Sequence, residues 1–149
     1  MENSNTSFFM NGAEFYAGSI VLAYCMDGNK EIQENVASFE TLINRLQIIK
    51  EEAKKYISIP FSVDIVVKDK GYISVGLGEN ESIITWYVAN DDIYFTSLGD
   101  EQAVGTKLYY FGDWSELPDK HTISWESALS VIKAWIESED INGCINWIS

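Results

Sequence analysis

Apolar residues recur at intervals of three and four positions in two stretches of the chain, which is the period of an amphipathic helix. The first stretch runs from about Ser38 to Tyr56, and Ser38 is suited to cap its start. The second is predicted over Trp125–Ser138, with Ser124 as its cap. The two apolar stripes consist of Phe39, Leu42, Ile43, Leu46, Ile49 and Ala53, and of Ala128, Val131, Ile132, Trp135 and Ile136.

Short runs of β-branched and aromatic residues, separated by turn residues, fill most of the remaining chain and predict strands. Because the connections are short, an antiparallel meander is the natural arrangement. The fold class is therefore α+β: an antiparallel meander sheet of about six or seven strands with two main amphipathic helices packed on one face. The predicted strands are Ser19–Cys25, Phe61–Lys68, Tyr72–Gly78, Glu81–Val88, Ile93–Leu98, Thr106–Gly112 and Cys144–Ile148.

The length of 149 residues suits a single domain over residues 1–149. Residues 1–18 are polar with scattered aromatic residues, and they form either a loose arm or an extra strand that packs through its rings. A composition of 46% hydrophobic and 13% aromatic residues is that of a globular protein rather than a disordered one.

The net charge of −13 is unevenly distributed: residues 1–70 carry −3 and residues 71–149 carry −10. This charge repels nucleic acid and anionic membranes, so both are excluded as expected partners. It attracts basic partners and speeds their association. A second reading stays open from charge alone, because acidity also keeps a protein soluble.

Cysteines and the N-terminus point to the cytoplasm. Cys25 and Cys144 form no CxxC motif, and we expect both to be reduced and buried. The first residues lack the basic and apolar regions of a signal peptide, and no apolar run is long enough to span a membrane.

The residue types needed for catalysis or metal binding are scarce. His121 is the only histidine, and we expect it in an exposed loop before the second helix. The chain has no HExxH motif and no Cys/His cluster, so no zinc site is predicted. Gly76 and Gly78 lack the third glycine and the following helix of a nucleotide-binding loop. We therefore expect no cofactor, no metal ion and no enzymatic activity.

Carboxylates cluster in the predicted turns of the second half. The pairs Asp91–Asp92 and Asp100–Glu101 and the set Asp113, Glu116 and Asp119 could in principle hold a hydrolase pair or a divalent ion. Adjacent acids in turns usually face solvent. A solvated loop is therefore the first interpretation, a partner-binding surface the second and catalysis a distant third.

Trp114 stands among these acids in Gly112–Glu116, a stretch that reads as a loop. An aromatic residue surrounded by charges has the composition of an interface anchor. The equally weighted alternative is that its ring packs over the second helix.

Four segments of the second half together resemble one known family. They are Thr96–Asp100 (TSLGD), Leu108–Gly112 (LYYFG), Ile123–Ala128 (ISWESA) and Ile145–Trp147 (INW). The family is the first-numbered Imm family of immunity proteins from bacterial polymorphic toxin systems, and the resemblance covers about residues 70–149. The family commonly has Gly and then Pro after the last helix, where this chain has Glu139 and Asn142.

The resemblance implies a protein that binds and neutralises a cognate toxin domain, often a nuclease or deaminase. Such toxins need basic grooves, which clustered carboxylates complement. Two alternatives stay open: a small-molecule or peptide-binding module with an apolar pocket lined by Trp86, Tyr87, Tyr94 and Tyr110, and a carboxylate-dependent hydrolase. The predicted toxin contacts are Asp91, Asp92, Asp100, Glu101, Asp113, Trp114, Glu116 and Asp119.

Overall fold

The computed structural model describes residues 20–27, 30–68, 70–88 and 91–149 of the chain. The N-terminal arm predicted at residues 1–18 lies outside the described residues, as does Ser19 of the first predicted strand. Residues 28, 29, 69, 89 and 90, which belong to three of the predicted turns, also lie outside them.

Two helices and eleven strands are formed by the part of the chain that is described. The helices are α1 (Phe39–Tyr56) and α2 (Trp125–Ile136), and a 3₁₀ turn covers Asp119–His121. The strands are β1 (Ile20–Asp27), β2 (Lys30–Val36), β3 (Phe61–Val67), β4 (Gly71–Leu77), β5 (Glu81–Ser82), β6 (Ile84–Val88), β7 (Ile93–Leu98), β8 (Thr106–Tyr110), β9 (Trp114–Pro118), β10 (Ile123–Ser124) and β11 (Asn146–Ile148).

Both helices begin where the capping residues predict. The Ser38 hydroxyl accepts a hydrogen bond from the Thr41 amide at 3.1 Å, and the Ser124 hydroxyl accepts one from the Ser127 amide at the same distance. Each bond satisfies an amide that has no partner within its helix. The prediction for α1 is confirmed to within a residue, whereas α2 ends at Ile136, two residues before the predicted end.

Nine strands form one sheet in the order β11-β7-β6-β4-β3-β1-β2, with β8 beside the start of β3 and β9 outside β8. The predicted meander is confirmed for β3, β4, β6 and β7, which are consecutive antiparallel neighbours. It does not continue into β8, because β11 takes the free edge of β7. Instead, β8 pairs in parallel with β3 through Phe61 and Tyr110. The short strands β5 and β10 form a separate ladder.

The two faces of the sheet differ in whether helices pack on them. One face carries Ile20, Leu22, Val63, Ile73 and Ile84, which are buried together with the apolar stripes of both helices. The opposite face carries the alternate residues of the same strands, and neither helix contributes to it within the described residues. The α+β class and the placement of both helices on one face are confirmed.

Three strands were not predicted, and all are short or lie at an edge. In β2 the sequence KEIQENV has only two apolar residues, Ile32 and Val36, and β9 carries a glutamate and a proline. An edge strand needs only one hydrogen-bonded neighbour and little burial, so its sequence lacks the apolar alternation that identifies inner strands. The third is the two-residue strand β10. The strand predicted at Glu81–Val88 is also interrupted, at Ile83.

The cysteines are less enclosed than the sequence predicts. Cys144 is exposed in the turn before β11, and Cys25 is half-buried in β1. The prediction that both are buried is therefore wrong, because neither position faces the layer between helices and sheet. Neither helix of the described chain combines the length and apolar character needed to cross a membrane.

A charged network ties the edge of the sheet to α1. The Arg45 guanidinium donates to both carboxylate oxygens of Glu34, at 2.8 and 2.7 Å, and the Tyr24 hydroxyl donates to the same carboxylate at 2.5 Å. The hydrogen bonds from Arg45 lower the pKa of Glu34. Burial, followed by the neighbouring Glu34, raises the pKa of Tyr24 to about 12. The network therefore holds an ionised Glu34 between β1, β2 and α1 at neutral pH.

We expect this network to make stability sensitive to acid. The folded-state pKa of Glu34 is below its ordinary value of 4.5, so its contribution is complete above that value and is lost as the pH falls through the folded-state pKa. Glu34→Gln should therefore lower the free energy of unfolding at pH 7, and the difference from the wild type should shrink in acid. Urea denaturation between pH 3 and 7 measures this. The control Glu52→Gln, at an exposed position of α1, should show no such convergence.

Gly76 provides a second prediction, because a Cβ atom there would lie 2.4 Å from Cε2 of Tyr109. Gly76→Ala should destabilise the protein by about 1–3 kcal/mol through overpacking, measured as a shift in the denaturation midpoint. Gly143→Ala, where a Cβ atom meets nothing within 4 Å, should change stability by less than about 0.5 kcal/mol. In a Tyr109→Leu background Gly76→Ala should lower the free energy of unfolding by less than it does in the wild type. An equally large loss of stability in both backgrounds would contradict this contact.

Candidate partner-binding surface

Strands β8 and β9 form a hairpin at the end of the sheet where β3 begins. Five residue pairs join the two strands in antiparallel register, from Thr106–Pro118 to Tyr110–Trp114. The connection is Phe111–Gly112–Asp113, and Gly112 has a φ of +96°, which favours glycine. Trp114 is therefore the first residue of β9, and the prediction that it lies in a loop is wrong. The glutamate and proline of β9, and the acids on either side of it, gave this edge strand the composition of a loop.

The hairpin is fixed to the sheet through two consecutive tyrosines. The Tyr110 amide donates to the Pro60 carbonyl at 3.1 Å, and its ring stacks on Phe61 with centroids 6.0 Å apart. Tyr109 points to the opposite face, where it is fully buried against Gly76. Because one tyrosine is held on each face of the sheet, the position of the hairpin is set by the core.

Apolar side chains of the hairpin remain open to solvent. Leu108 is 54% exposed, Trp114 49% and Phe111 41%. The Trp114 ring meets Tyr110 edge-on at a centroid distance of 5.0 Å, so it rests on a buried neighbour of its own hairpin. The pairs Leu108–Glu116 and Tyr110–Trp114 place Leu108, Trp114 and Glu116 on one face of the hairpin.

Two of the predicted acids accompany these apolar groups. Asp113 is exposed at the tip, and the Glu116 carboxylate, also exposed, accepts a hydrogen bond from the Thr106 hydroxyl at 3.1 Å. We define the hairpin surface as Leu108, Phe111, Asp113, Trp114 and Glu116. Sequence reasoning found Asp113, Trp114 and Glu116 but missed Leu108 and Phe111. No alternation in β8 distinguishes Leu108, because it is exposed although it shares a face of the strand with the buried Tyr110.

Three further predicted contacts lie around the base of the hairpin. Asp119 is half-buried and paired with Lys107 at 3.0 Å, and Lys107 also approaches Glu81 at 3.4 Å. The hydrogen bond to Asp119 is the main cause that raises the pKa of Lys107. Asp100 accepts a hydrogen bond from the Gln102 amide within the loop that follows β7, next to the exposed Glu101. Asp119 therefore has a local structural partner, whereas Glu101 faces solvent.

Asp91 and Asp92 lie at the other end of the sheet. They come directly before β7. The start of β7 pairs with the end of β6, and the end of β6 pairs with the start of β4. The hairpin joins the sheet where β4 ends, about 20 Å away along the strands. Of the eight predicted contacts, six therefore gather on and around the hairpin, and two do not.

The four aromatic residues proposed to line an apolar pocket are divided between the two faces. Trp86 packs on the helix-covered face with Phe95 and Trp147, and Tyr110 belongs to the same core. Tyr87 and Tyr94 pack against each other on the opposite face, with centroids 4.8 Å apart and ring planes tilted by 39°. Since neighbouring residues of a strand point in opposite directions, these four side chains cannot line one pocket.

His121 is half-buried in the 3₁₀ turn rather than exposed in a loop, so that prediction is wrong. Its carbonyl accepts a hydrogen bond from the buried Ser97 hydroxyl at 2.7 Å, which draws the turn against β7. The part of the chain that is described contains no group of three histidine, cysteine or acidic side chains placed to hold a metal ion.

Comparison with known proteins identifies the family. A search of curated proteins found none that matches this chain. The model of the family described as "Immunity protein Imm1" matches residues 30–149. This range contains both helices, the hairpin and every strand of the sheet except β1. It extends further towards the N-terminus than the four motifs in the sequence. The resemblance is confirmed, and the chain belongs to the Imm1 family of immunity proteins.

Proposed function

We propose that this chain binds a cognate bacterial toxin domain in the cytoplasm and neutralises it by covering a basic active-site groove. The toxin is a nuclease or deaminase, which acts on nucleic acid inside the cell. Family membership supports the general role of an immunity protein. The choice of toxin class follows from the family resemblance, and the negative charge agrees with it, since enzymes that bind nucleic acid carry cationic grooves.

The observation that carries the proposal is the composition of the hairpin surface. Its exposed apolar groups, Leu108, Phe111 and Trp114, stand beside the carboxylates of Asp113 and Glu116. Energetic centres of protein interfaces combine a large aromatic residue with surrounding polar groups. The buried tyrosines beneath hold the hairpin in place, so little conformational entropy is lost when a partner binds.

The remaining predicted contacts fit different roles around this centre. Asp100 and Glu101 flank the base of the hairpin, where they can form the polar rim of the interface. Asp119, already paired with Lys107, keeps that rim in place. Asp91 and Asp92, about 20 Å away, contribute through the overall field of the protein rather than through the same contact.

Charge favours rapid capture of the toxin. The net charge of −13, of which −10 belongs to residues 71–149, steers a basic partner towards the half that carries the hairpin. In this proposal the carboxylates act as binding groups and catalyse nothing. Two observations support this interpretation: Asp113 and Glu116 are exposed, and Asp119 is paired with a lysine. These three carboxylates therefore do not form an enclosed acid pair.

Co-expression with the cognate toxin domain tests the contact surface. Trp114→Ala should weaken binding to a catalytically inactive toxin by about 2–4 kcal/mol, roughly 30- to 800-fold in Kd. Asp113→Lys with Glu116→Lys should slow association and abolish growth protection. Calorimetry or biolayer interferometry measures binding, and colony counts measure protection.

The matched control is Glu51→Lys with Glu52→Lys, which makes the same change in net charge at exposed positions of α1. This control should protect nearly as well as the wild type. If the hairpin variants protected as well as the wild type, the hairpin surface would not be the contact. If control and hairpin variants failed equally, net charge alone would determine protection.

A further inference from the structure

The face of the sheet opposite the helices carries a row of three tyrosines across adjacent strands. Tyr72 of β4 is paired with Tyr87 of β6, which is paired with Tyr94 of β7. Their ring centroids are 5.3 and 4.8 Å apart, with interplanar angles of 28° and 39°. We call these residues the tyrosine ladder. Tyr94 is 51% exposed, so the ladder offers aromatic surface to solvent at its β7 end.

Carboxylates lie on both sides of the ladder. The Tyr87 hydroxyl donates to Asp92 at 3.0 Å, and on the other side Asp64 of β3 accepts a hydrogen bond from Ser74 at 2.5 Å. Burial raises the pKa of Asp64, and Glu31 of β2 adds to that rise. The charged strand residues described on this face are Glu31, Asp64 and Lys107. Glu31 and Asp64 are acids, whereas Lys107 belongs to β8 and is paired with Asp119.

The hydroxyl groups of Tyr72 and Tyr87 stay protonated and neutral at physiological pH. Hydrogen bonding with Tyr94 is the largest cause that raises the pKa of Tyr72 to about 12. The hydrogen bond to Asp92 is the largest cause that raises the pKa of Tyr87. The surface therefore combines closely packed aromatic rings with carboxylates, and the lysine that the described strands place on this face, Lys107, is paired with Asp119 in the hairpin region.

These features match one kind of ligand group. A guanidinium ion is planar and weakly hydrated, stacks on aromatic rings and binds carboxylates through paired hydrogen bonds. An ammonium ion is compact and strongly hydrated, and it gains less from such a site. A phosphate would be repelled by Asp64 and Asp92. The charge of this face therefore selects a cation, and its rings select arginine.

We propose that the tyrosine ladder, together with Asp64 and Asp92, is a docking surface for an arginine-bearing segment of a protein partner. The ladder lies on the face opposite the helices, whereas Tyr110, beneath Trp114, belongs to the helix-covered core. The two surfaces therefore face different directions and make different contacts. The ladder goes beyond the toxin contact and does not depend on it.

Titration with two synthetic peptides, hexa-arginine and hexa-lysine, tests the ladder directly. In 150 mM NaCl we expect hexa-arginine to shift the ring signals of Tyr72, Tyr87 and Tyr94 in ¹³C–¹H spectra, with an affinity several-fold above that of hexa-lysine. Tyr87→Ala with Tyr94→Ala should weaken hexa-arginine binding about tenfold or more. The control Tyr56→Ala, at an exposed position of α1, should bind as the wild type does.

Two further variants keep the test independent of folding. Tyr87→Phe with Tyr94→Phe retains the rings and should retain most of the preference for arginine. Asp92→Asn keeps a residue that tolerates the positive φ at this position and should weaken binding of both peptides.

Several outcomes would overturn the proposal. Equal affinity for the two peptides would mean a general electrostatic attraction. Shifts of the Trp114 indole signal in place of the tyrosine signals would move the site to the hairpin. Tyrosine signals that moved with protein concentration alone would identify a second copy of this chain as the occupant. Because the peptides contain no toxin, these results are separate from the outcome of the protection assay.

Discussion

Pairing along both edges of β3 is the constraint on which the rest of the structure depends. One edge of β3 is paired along its whole length with β4. The other edge is divided: β1 pairs with Asp64–Val67, and β8 pairs with Phe61. Since Phe61, Val63 and Ile65 are fully buried, a shift in the register of β3 would move these residues out of the core. Because β1 does not pair with the start of that edge, β8 can pair there, and this pairing positions the β8–β9 hairpin.

The layered packing separates stability from recognition. Apolar side chains of the helices and of one sheet face form a continuous core, and hydrophobic burial there is the main stabilising contribution. The tyrosine ladder on the opposite face and the exposed side chains of the hairpin lie outside this core. Interaction surfaces of this kind can be rich in tyrosine, tryptophan and carboxylates because the core does not depend on their burial.

Much of the fold could be predicted because its signals are local. Helix caps and apolar stripes located α1 and α2, and the alternation of β-branched residues located the inner strands. The edge strands β2 and β9 were missed because a polar sequence is compatible with an edge strand as well as with a loop. For the site, adjacency along the chain correctly grouped Asp113, Trp114 and Glu116. It could not show that Asp91 and Asp92 lie at the other end of the sheet, since that depends on which way each strand runs.

The attachment of the hairpin through Tyr109 and Tyr110 has a consequence for how this chain can change. The two tyrosines are buried, one on each side of the sheet, whereas Leu108, Phe111 and Trp114 are exposed within the same few residues. Substitutions at Leu108 and Phe111 leave the anchoring side chains in place, whereas Trp114 packs directly against Tyr110. The hairpin can therefore acquire a new set of contact residues on an unchanged framework, which allows specificity to diverge while stability is conserved.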